Sequence, residues 1–163
     1  MGGVVRSNVR RLSEDRYEGR VAVAFTLCLA TREPHFTSEA AVAPHRRMLE
    51  DETLRVGCVA YAYCFMPDHL HVVLLGVRDD ARPKAAIVRF KQWSGFLFGR
   101  GPVRWQPRFW DHVLRAGEDT AAQVLYVLNN PLRAGLTAEP LAWPFSGAIG
   151  MSYAEVLETV IDL

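Results

Sequence analysis

The apolar positions along this chain alternate between runs suited to strands and stripes suited to helices. Residues 20–32 (RVAVAFTLCLATR) are rich in Val, Phe, Thr and Leu and predict a buried strand. Residues 37–52 (TSEAAVAPHRRMLEDE) predict a helix opened by Thr37 or Ser38 and interrupted or restarted near Pro44. Two further strands, 54–66 and 69–77, flank the turn pair Pro67-Asp68 and predict an antiparallel hairpin. A second helix is expected over 81–99, where Ile87, Phe90, Trp93 or Ser94, and Leu97 recur at helical spacing. Pro107 within 103–115 confines a strand to the later half of that segment and to a sheet edge. A third helix over 118–130 is expected to start at Asp119 or Thr120, with Pro131 stopping it and Gly135 as punctuation. In the closing segment, 151–163, Tyr153, Val156, Leu157, Val160 and Ile161 share one side of an amphipathic helix. The order β-α-β-β-α-β-α, with a hairpin in its middle, describes an α+β fold: a ferredoxin-like antiparallel sheet with helices on one face, plus a C-terminal amphipathic helix.

Composition narrows this picture. The chain has 163 residues, half of them hydrophobic, with neither internal repeats nor low-complexity linkers, so a single domain spanning 1–163 with an ordinary core is expected. No apolar run reaches eighteen residues and charge is scattered through the first twenty, which argues for a soluble cytoplasmic protein with no membrane partner. Cys28, Cys58 and Cys64 lack any CxxC spacing and suit buried thiols. The net charge of +1 hides an asymmetry. Residues 84–133 carry Lys84, Arg89, Lys91, Arg100, Arg104, Arg108, Arg115 and Arg133 against Asp111, Glu118 and Asp119, while 134–163 carry acids only. A basic middle hints at a polyanion, because phosphates are held mainly by Lys and Arg; an ordinary solvated face gives the same composition.

Chemistry enters at CFMPDHLHVVLLG, residues 64–76. Side chains two apart on a strand point the same way, so His69 and His71 share a face with α-carbons roughly 6 to 7 Å apart, while Leu70 turns to the core. Two imidazoles so placed can each give a nitrogen to one divalent ion, the other ring nitrogens being fixed by outer acceptors. Two half-exposed histidines without a ligand would show the same spacing. On the third helix, Tyr126 and Asn130 are four residues apart and share a face. A phenol ordinarily titrates near 10 and attacks phosphorus poorly without a metal or base beside it, so the tyrosine gains meaning from the histidine pair. Packing alone would also account for Tyr126 between Leu125 and Val127, and a helix end for Asn130 before Pro131.

Between these, Arg104, Trp105, Arg108, Phe109 and Trp110 interleave guanidinium groups with aromatic faces, the combination that stacks unpaired bases while neutralising phosphates. With half of the aromatics expected to serve the core, Arg104, Trp105 and Arg108 are the DNA-binding candidates from this strip. Lys84, Arg89 and Lys91 on the second helix and Arg133 after the third complete the set. His112 could orient a ligand or a phosphate, or be a satisfied buried histidine.

The segments MPDHLHVVLLG, WQPRFWDHVLR, VLYVLNNPLRAGL and LAWPFS, in this order and spacing, resemble the single-tyrosine transposases with a histidine-hydrophobe-histidine (HUH) motif, specifically the REP-associated branch of the insertion-sequence 200-like superfamily. The resemblance covers roughly residues 17 to 148, leaving 149–163 as a helical tail. It implies a ferredoxin-like fold and a metal-dependent enzyme that cuts single-stranded DNA beside hairpin repeats through a 5′-phosphotyrosine intermediate. By it His69 and His71 match the metal-binding pair, Tyr126 the nucleophile and Asn130 the third ligand, with Mg²⁺ or Mn²⁺ as cofactor. Imidazole ligands suit Mn²⁺ somewhat better than Mg²⁺. Two departures stand out: Asp68 occupies a turn position where relatives often have Glu, and only one tyrosine lies in the motif, Tyr153 being the sole downstream rival.

The expected partner is single-stranded or hairpin DNA, bound by a monomer or a homodimer. Other readings of the same residues are a domesticated hairpin-binding protein without cleavage, a nicking enzyme of replication or conjugation, and a generic metal hydrolase. The last leaves Tyr126 and the basic aromatic strip unused. The acidic tail could pack in cis over the basic channel or form a two-fold interface, and cis packing with partial inhibition of DNA binding is the expectation.

Overall fold

The structure, a computed structural model, describes residues 13–115, 120–139 and 141–161. Its elements run β1 (Ala22–Cys28), α1 (Glu39–Arg55), β2 (Cys58–Met66), β3 (His69–Gly76), α2 (Pro83–Ser94), β4 (Trp110–Val113), α3 (Thr120–Arg133), β5 (Ser146–Ile149) and α4 (Tyr153–Ile161). The sheet order is β4-β1-β3-β2-β5 and every neighbouring pair is antiparallel. The first four strands in the order 4-1-3-2, with α1 and α2 as crossovers, make the ferredoxin-like α+β arrangement read from the sequence.

Alternation on the strands divides the interior into two layers. Val23, Phe25 and Leu27 of β1 and Leu70, Val72 and Leu74 of β3 point to one side, where they pack on Val42 and Leu49 of α1 and Ala86, Ile87 and Phe90 of α2. Ala24, Ala62, Cys64 and Val73 point to the other side and meet Val124, Val127 and Leu128 of α3 and Val156 of α4. The expectation of helices on one face therefore holds for the two crossovers, while α3 and α4 cover the opposite face. Both strand faces are apolar along β2 and β3, and a sheet apolar on both faces needs a layer on each.

Two helices run further than their prolines suggested. Ser38, not Thr37, caps α1 by accepting from Ala41 N–H at 3.2 Å, and the helix continues unbroken through Pro44 to Arg55. That proline removes one hydrogen bond, to the Ala40 carbonyl, and the packing of Val42, His45, Leu49 and Glu52 along one face outweighs the loss. Pro131 likewise lies inside α3 and is buried. The helix runs on to Arg133 and is closed by Gly135, whose φ of +70° suits a left-handed C-terminal turn: Gly135 N–H reaches the Leu132 carbonyl and Leu136 N–H the Pro131 carbonyl. Asp119, the other candidate start of α3, lies outside the described residues, and Leu54 and Arg55 end α1 instead of opening β2.

Strand β5 was not expected. Its four residues, SGAI, have no strand pattern of their own, and pairing with β2 defines it. Gly147 is needed there because a Cβ would fall 2.6 Å from the Tyr63 hydroxyl.

His45 is 2% exposed in an aromatic cluster of His35, Phe36, Phe98 and Trp105. Burial pushes its imidazole down to about 4, partly opposed by the hydrogen bond from Nδ1 to the Ala41 carbonyl. His71 is lowered to about 4 too, first by burial and then by neighbouring His69. Between about 6.5 and 4 the unfolded chain takes up protons that the folded protein refuses, so stability falls as pH drops through that window. Each site contributes at most about 3 kcal/mol. Urea unfolding followed at pH 7 and pH 4 should show this loss, and His45→Phe, which fits the aromatic surroundings, should remove roughly half of it.

Candidate active site

Strand β3 is central, bonded to β1 on one side and β2 on the other, so its register is fixed twice. On the β1 side Cys28 faces His69 and Thr26 faces His71; on the β2 side the partners are Met66 and Cys64. The two imidazoles consequently project to the α3 face, as the spacing predicts, with Leu70 buried on the other. Their Nε2 atoms approach to 3.1 Å with the rings perpendicular.

The outer ring nitrogens are both held. His69 Nδ1 lies 2.6 Å from Asp68 Oδ1, and His71 Nδ1 lies 2.9 Å from Thr26 Oγ1. Arg32 reaches the other Asp68 oxygen at 2.7 Å and Cys28 Sγ at 3.2 Å, and it does so from a left-handed backbone conformation with φ of 58°. A non-glycine residue in that region is strained by on the order of 1 kcal/mol, an expense met here by two side-chain contacts. Burial alone would raise the Asp68 carboxyl, but hydrogen bonds from His69 and Arg32 together hold it below its usual range. Carboxylates accept and do not donate, so His69 carries its hydrogen on Nδ1. The Thr26 hydroxyl can donate to His71 Nδ1 or accept from it, so the 3.1 Å approach of the two Nε2 atoms is met either by His71 Nε2–H donating to the His69 lone pair or by two lone pairs directed at one cation. Ligand bonds of about 2.1 Å to one small divalent ion match that separation for neighbouring donors. The pair fits a metal.

Tyr126 stands across from the pair on α3, its ring 6.2 Å from that of His71 at 74°, and is 44% exposed. The Arg133 guanidinium, two turns along, covers the Tyr126 ring at 4.9 Å. Asn130, one turn along, donates from Nδ2 to the Tyr126 carbonyl at 3.0 Å, which commits its nitrogen to the helix and leaves the oxygen as its acceptor end. Tyr126, His71, Thr26 and Gln123 line an open cleft of about 320 Å³ together with Phe25, Val127 and Trp110. Tyr153 is no rival to Tyr126, since its hydroxyl is buried and burial raises its phenol far above the ordinary value. Helix α4 packs in cis against α3 and β5, and it contributes no residue to this cleft.

The nominated DNA-binding residues divide. Arg133 is at the cleft, while Arg104 and Arg108 are exposed on the strip leading along β1 to β4. Trp105 is a correction: it is 6% exposed, packs on Phe36, Phe90 and Phe98, and donates from Nε1 to Ser94 Oγ at 2.8 Å. Lys84, Arg89 and Lys91 lie on α2, across the sheet from the histidines. Arg89 pairs at 2.6 Å with the buried Glu52, Lys84 pairs with Glu14 beside the Tyr17 ring, and Lys91 donates to the Pro107 carbonyl.

Sequence reasoning missed Thr26 and Gln123, and it named Trp110 within the aromatic strip but nominated Trp105 instead. The alternation of β1 and the helical spacing of α3 carried a signal for the first two, but choosing Trp110 over Trp105 required the register.

No protein-family model matches the chain. It is 29% identical over 85 residues to the REP-associated tyrosine transposase of Escherichia coli, an alignment covering 52% of this chain and 51% of that protein. A Haemophilus influenzae protein provisionally named to the same group is 33% identical over 98 residues, covering 52% of this chain and 56% of that one. Among solved structures, a REP-associated tyrosine transposase bound to a REP hairpin superposes with a TM-score of 0.70 at 25% identity, covering 86% of this chain and 81% of that chain. The match in sequence and in fold is to the REP-associated tyrosine transposases. The chain spans about half the length of the curated relatives it matches. Among the described residues no helix is long and apolar enough to cross a membrane.

For the transposase-like fold, Trp105 is a structural residue. Trp105→Ala should cost about 3–5 kcal/mol in urea unfolding.

Proposed function

We propose that this chain is a metal-dependent single-stranded DNA endonuclease and strand transferase acting beside hairpin repeats. The observation that carries the reading is the histidine pair, whose Nε2 atoms lie 3.1 Å apart, with His71 lining a cleft in which Tyr126 stands exposed, its ring 6.2 Å from that of His71. His69, His71 and the Asn130 oxygen are the donors for Mg²⁺ or Mn²⁺. When bound, such an ion supplies Lewis-acid polarisation of a phosphate and neutralises its charge.

The chain's own groups do the rest. Tyr126 Oη attacks the phosphorus of one phosphodiester as the bond from phosphorus to the 3′ oxygen breaks. The phenol loses its proton and the departing 3′ oxygen gains one, so a 5′-phosphotyrosine and a free 3′ hydroxyl result with no net change in redox state or bond count. Attack by a 3′ hydroxyl on that linkage reverses the step, and no energy cofactor is required. Arg133, over the tyrosine ring, places a fixed positive charge beside the nucleophile where it can meet a phosphate. Arg104 and Arg108 extend the positive strip for the strand that leads away from the cleft. Similarity to a protein solved with a REP hairpin supports hairpin DNA as the partner.

The deciding experiment incubates labelled hairpin oligonucleotides bearing single-stranded flanks with wild type and Tyr126→Phe, in Mn²⁺, Mg²⁺ or chelator. A metal-dependent covalent adduct that disappears entirely in the variant is the expected result. Binding without any adduct in either metal would leave a hairpin-binding protein. Asp68→Ala, which frees His69 Nδ1, should weaken Mn²⁺ binding about 10- to 100-fold by calorimetry while Tyr126 stays in place.

A further inference from the structure

We propose that Trp110 is a stacking platform for one unpaired nucleobase next to the phosphate that Tyr126 attacks, an inference that rests on the single-strand cleavage reading above. The cross-strand register puts Trp110 opposite Thr26, and Thr26 opposite His71, so indole, hydroxyl and imidazole form one row on the α3 face of the sheet. Trp110 is 54% exposed while lining the same cleft as Thr26, His71 and Val127, on a strand whose other residues are half-buried. Trp105, five residues earlier on the same strip, is in the core and hydrogen-bonded. Thus the strip supplies one structural tryptophan and one whose face is open.

The platform is braced. His112, two residues along and on the same side of β4, stacks on the indole at 6.0 Å with a 25° tilt, which supports one face of the ring. Strand β4 is the sheet edge, bonded only to β1 among the described residues, so a strand of DNA can approach the ring from the side that carries no further strand. Gln123 lines the same cleft from α3 and brings amide donors and acceptors suited to a base edge. A cleft of about 320 Å³ between the indole and Tyr126 suits a single nucleotide. An open aromatic face beside a nucleophile is what an unstacked base requires: base-on-aromatic stacking tolerates any base, contributes about 1–3 kcal/mol, and fixes the sugar-phosphate next to it. In-line attack needs that fixing, because a flexible single strand otherwise samples many phosphate orientations.

The test uses the full chain with hairpin oligonucleotides carrying a single-stranded flank, one series with an abasic site moved through the flank. Trp110→Ala should weaken binding about ten- to hundredfold, with the loss falling on Kd more than on the adduct rate at saturating DNA. Trp110→Phe should recover most of it. One abasic position should weaken wild type by a similar factor and add nothing to Trp110→Ala. With 2-aminopurine at that position, fluorescence should be quenched by wild type and unquenched by the alanine variant. Equal affinity of wild type and Trp110→Ala with thermal midpoints matched, or abasic penalties that are the same in both, would overturn the platform. Because affinity and quenching are read without cleavage, the absence of a covalent adduct would count against the transesterification alone, and a normal adduct with no effect at Trp110 would count against the platform alone.

Discussion

Everything at the site depends on β3 being hydrogen-bonded on both edges. A strand paired on one side can slip, and a slip of one residue would turn His69 and His71 into the core and Leu70 out of it. Here Thr26 and Cys28 of β1 and Cys64 and Met66 of β2 each hold a β3 partner, so the histidines are locked to the α3 face by backbone bonds alone. Phe65 and Leu70, buried on the opposite side, make the wrong register costly, since moving even one such side chain to water costs about 1.5–3 kcal/mol. The site is precise because it hangs on the most constrained element of the fold.

The second layer of order is polar. Arg32, Asp68 and His69 form a chain in which each group satisfies the next, and Thr26 does the same for His71. The Asp68 contact keeps the His69 hydrogen on Nδ1 and leaves its Nε2 as a lone-pair donor, while the Thr26 hydroxyl, donor or acceptor, holds the orientation of the His71 ring. The lowered imidazole of His71 belongs to the same arrangement: burial and the adjacent His69 keep it neutral near pH 7, the form that donates a lone pair. Asp68, in the turn before the pair, reaches the neighbouring His69 ring directly at 2.6 Å.

The two faces of the sheet have separate tasks. On one, α1 and α2 enclose an aromatic core that includes Trp105 and the paired Glu52–Arg89, and the cations there hold helices together or cover aromatic rings. On the other, α3 brings Tyr126 beside His71 with Arg133 over the tyrosine ring, and α4 packs alongside without lining the cleft. Positive charge in the middle of the chain is therefore divided: Lys84, Arg89 and Lys91 lie on α2, while Arg133 of α3 sits over the Tyr126 ring.

By itself the sequence determined whatever follows from local period and local chemistry. The hairpin around Pro67-Asp68, the shared face of His69 and His71, the edge strand after Pro107 and the one-turn spacing of Tyr126 and Asn130 are consequences of residues close together in the chain. Tertiary structure decided what depends on partners distant in sequence. Pro44 and Pro131 read as stops, yet each removes one backbone bond, against the burial of a whole helix face. β5 exists because β2 offers an edge to SGAI, and α3 crosses to the second face because the middle strands are apolar on both. Trp105 and Trp110 are alike in composition and neighbourhood. Pairing with Leu29 sends the first into the core, while pairing with Thr26 sends the second toward the cleft, a difference of register that no local pattern contains.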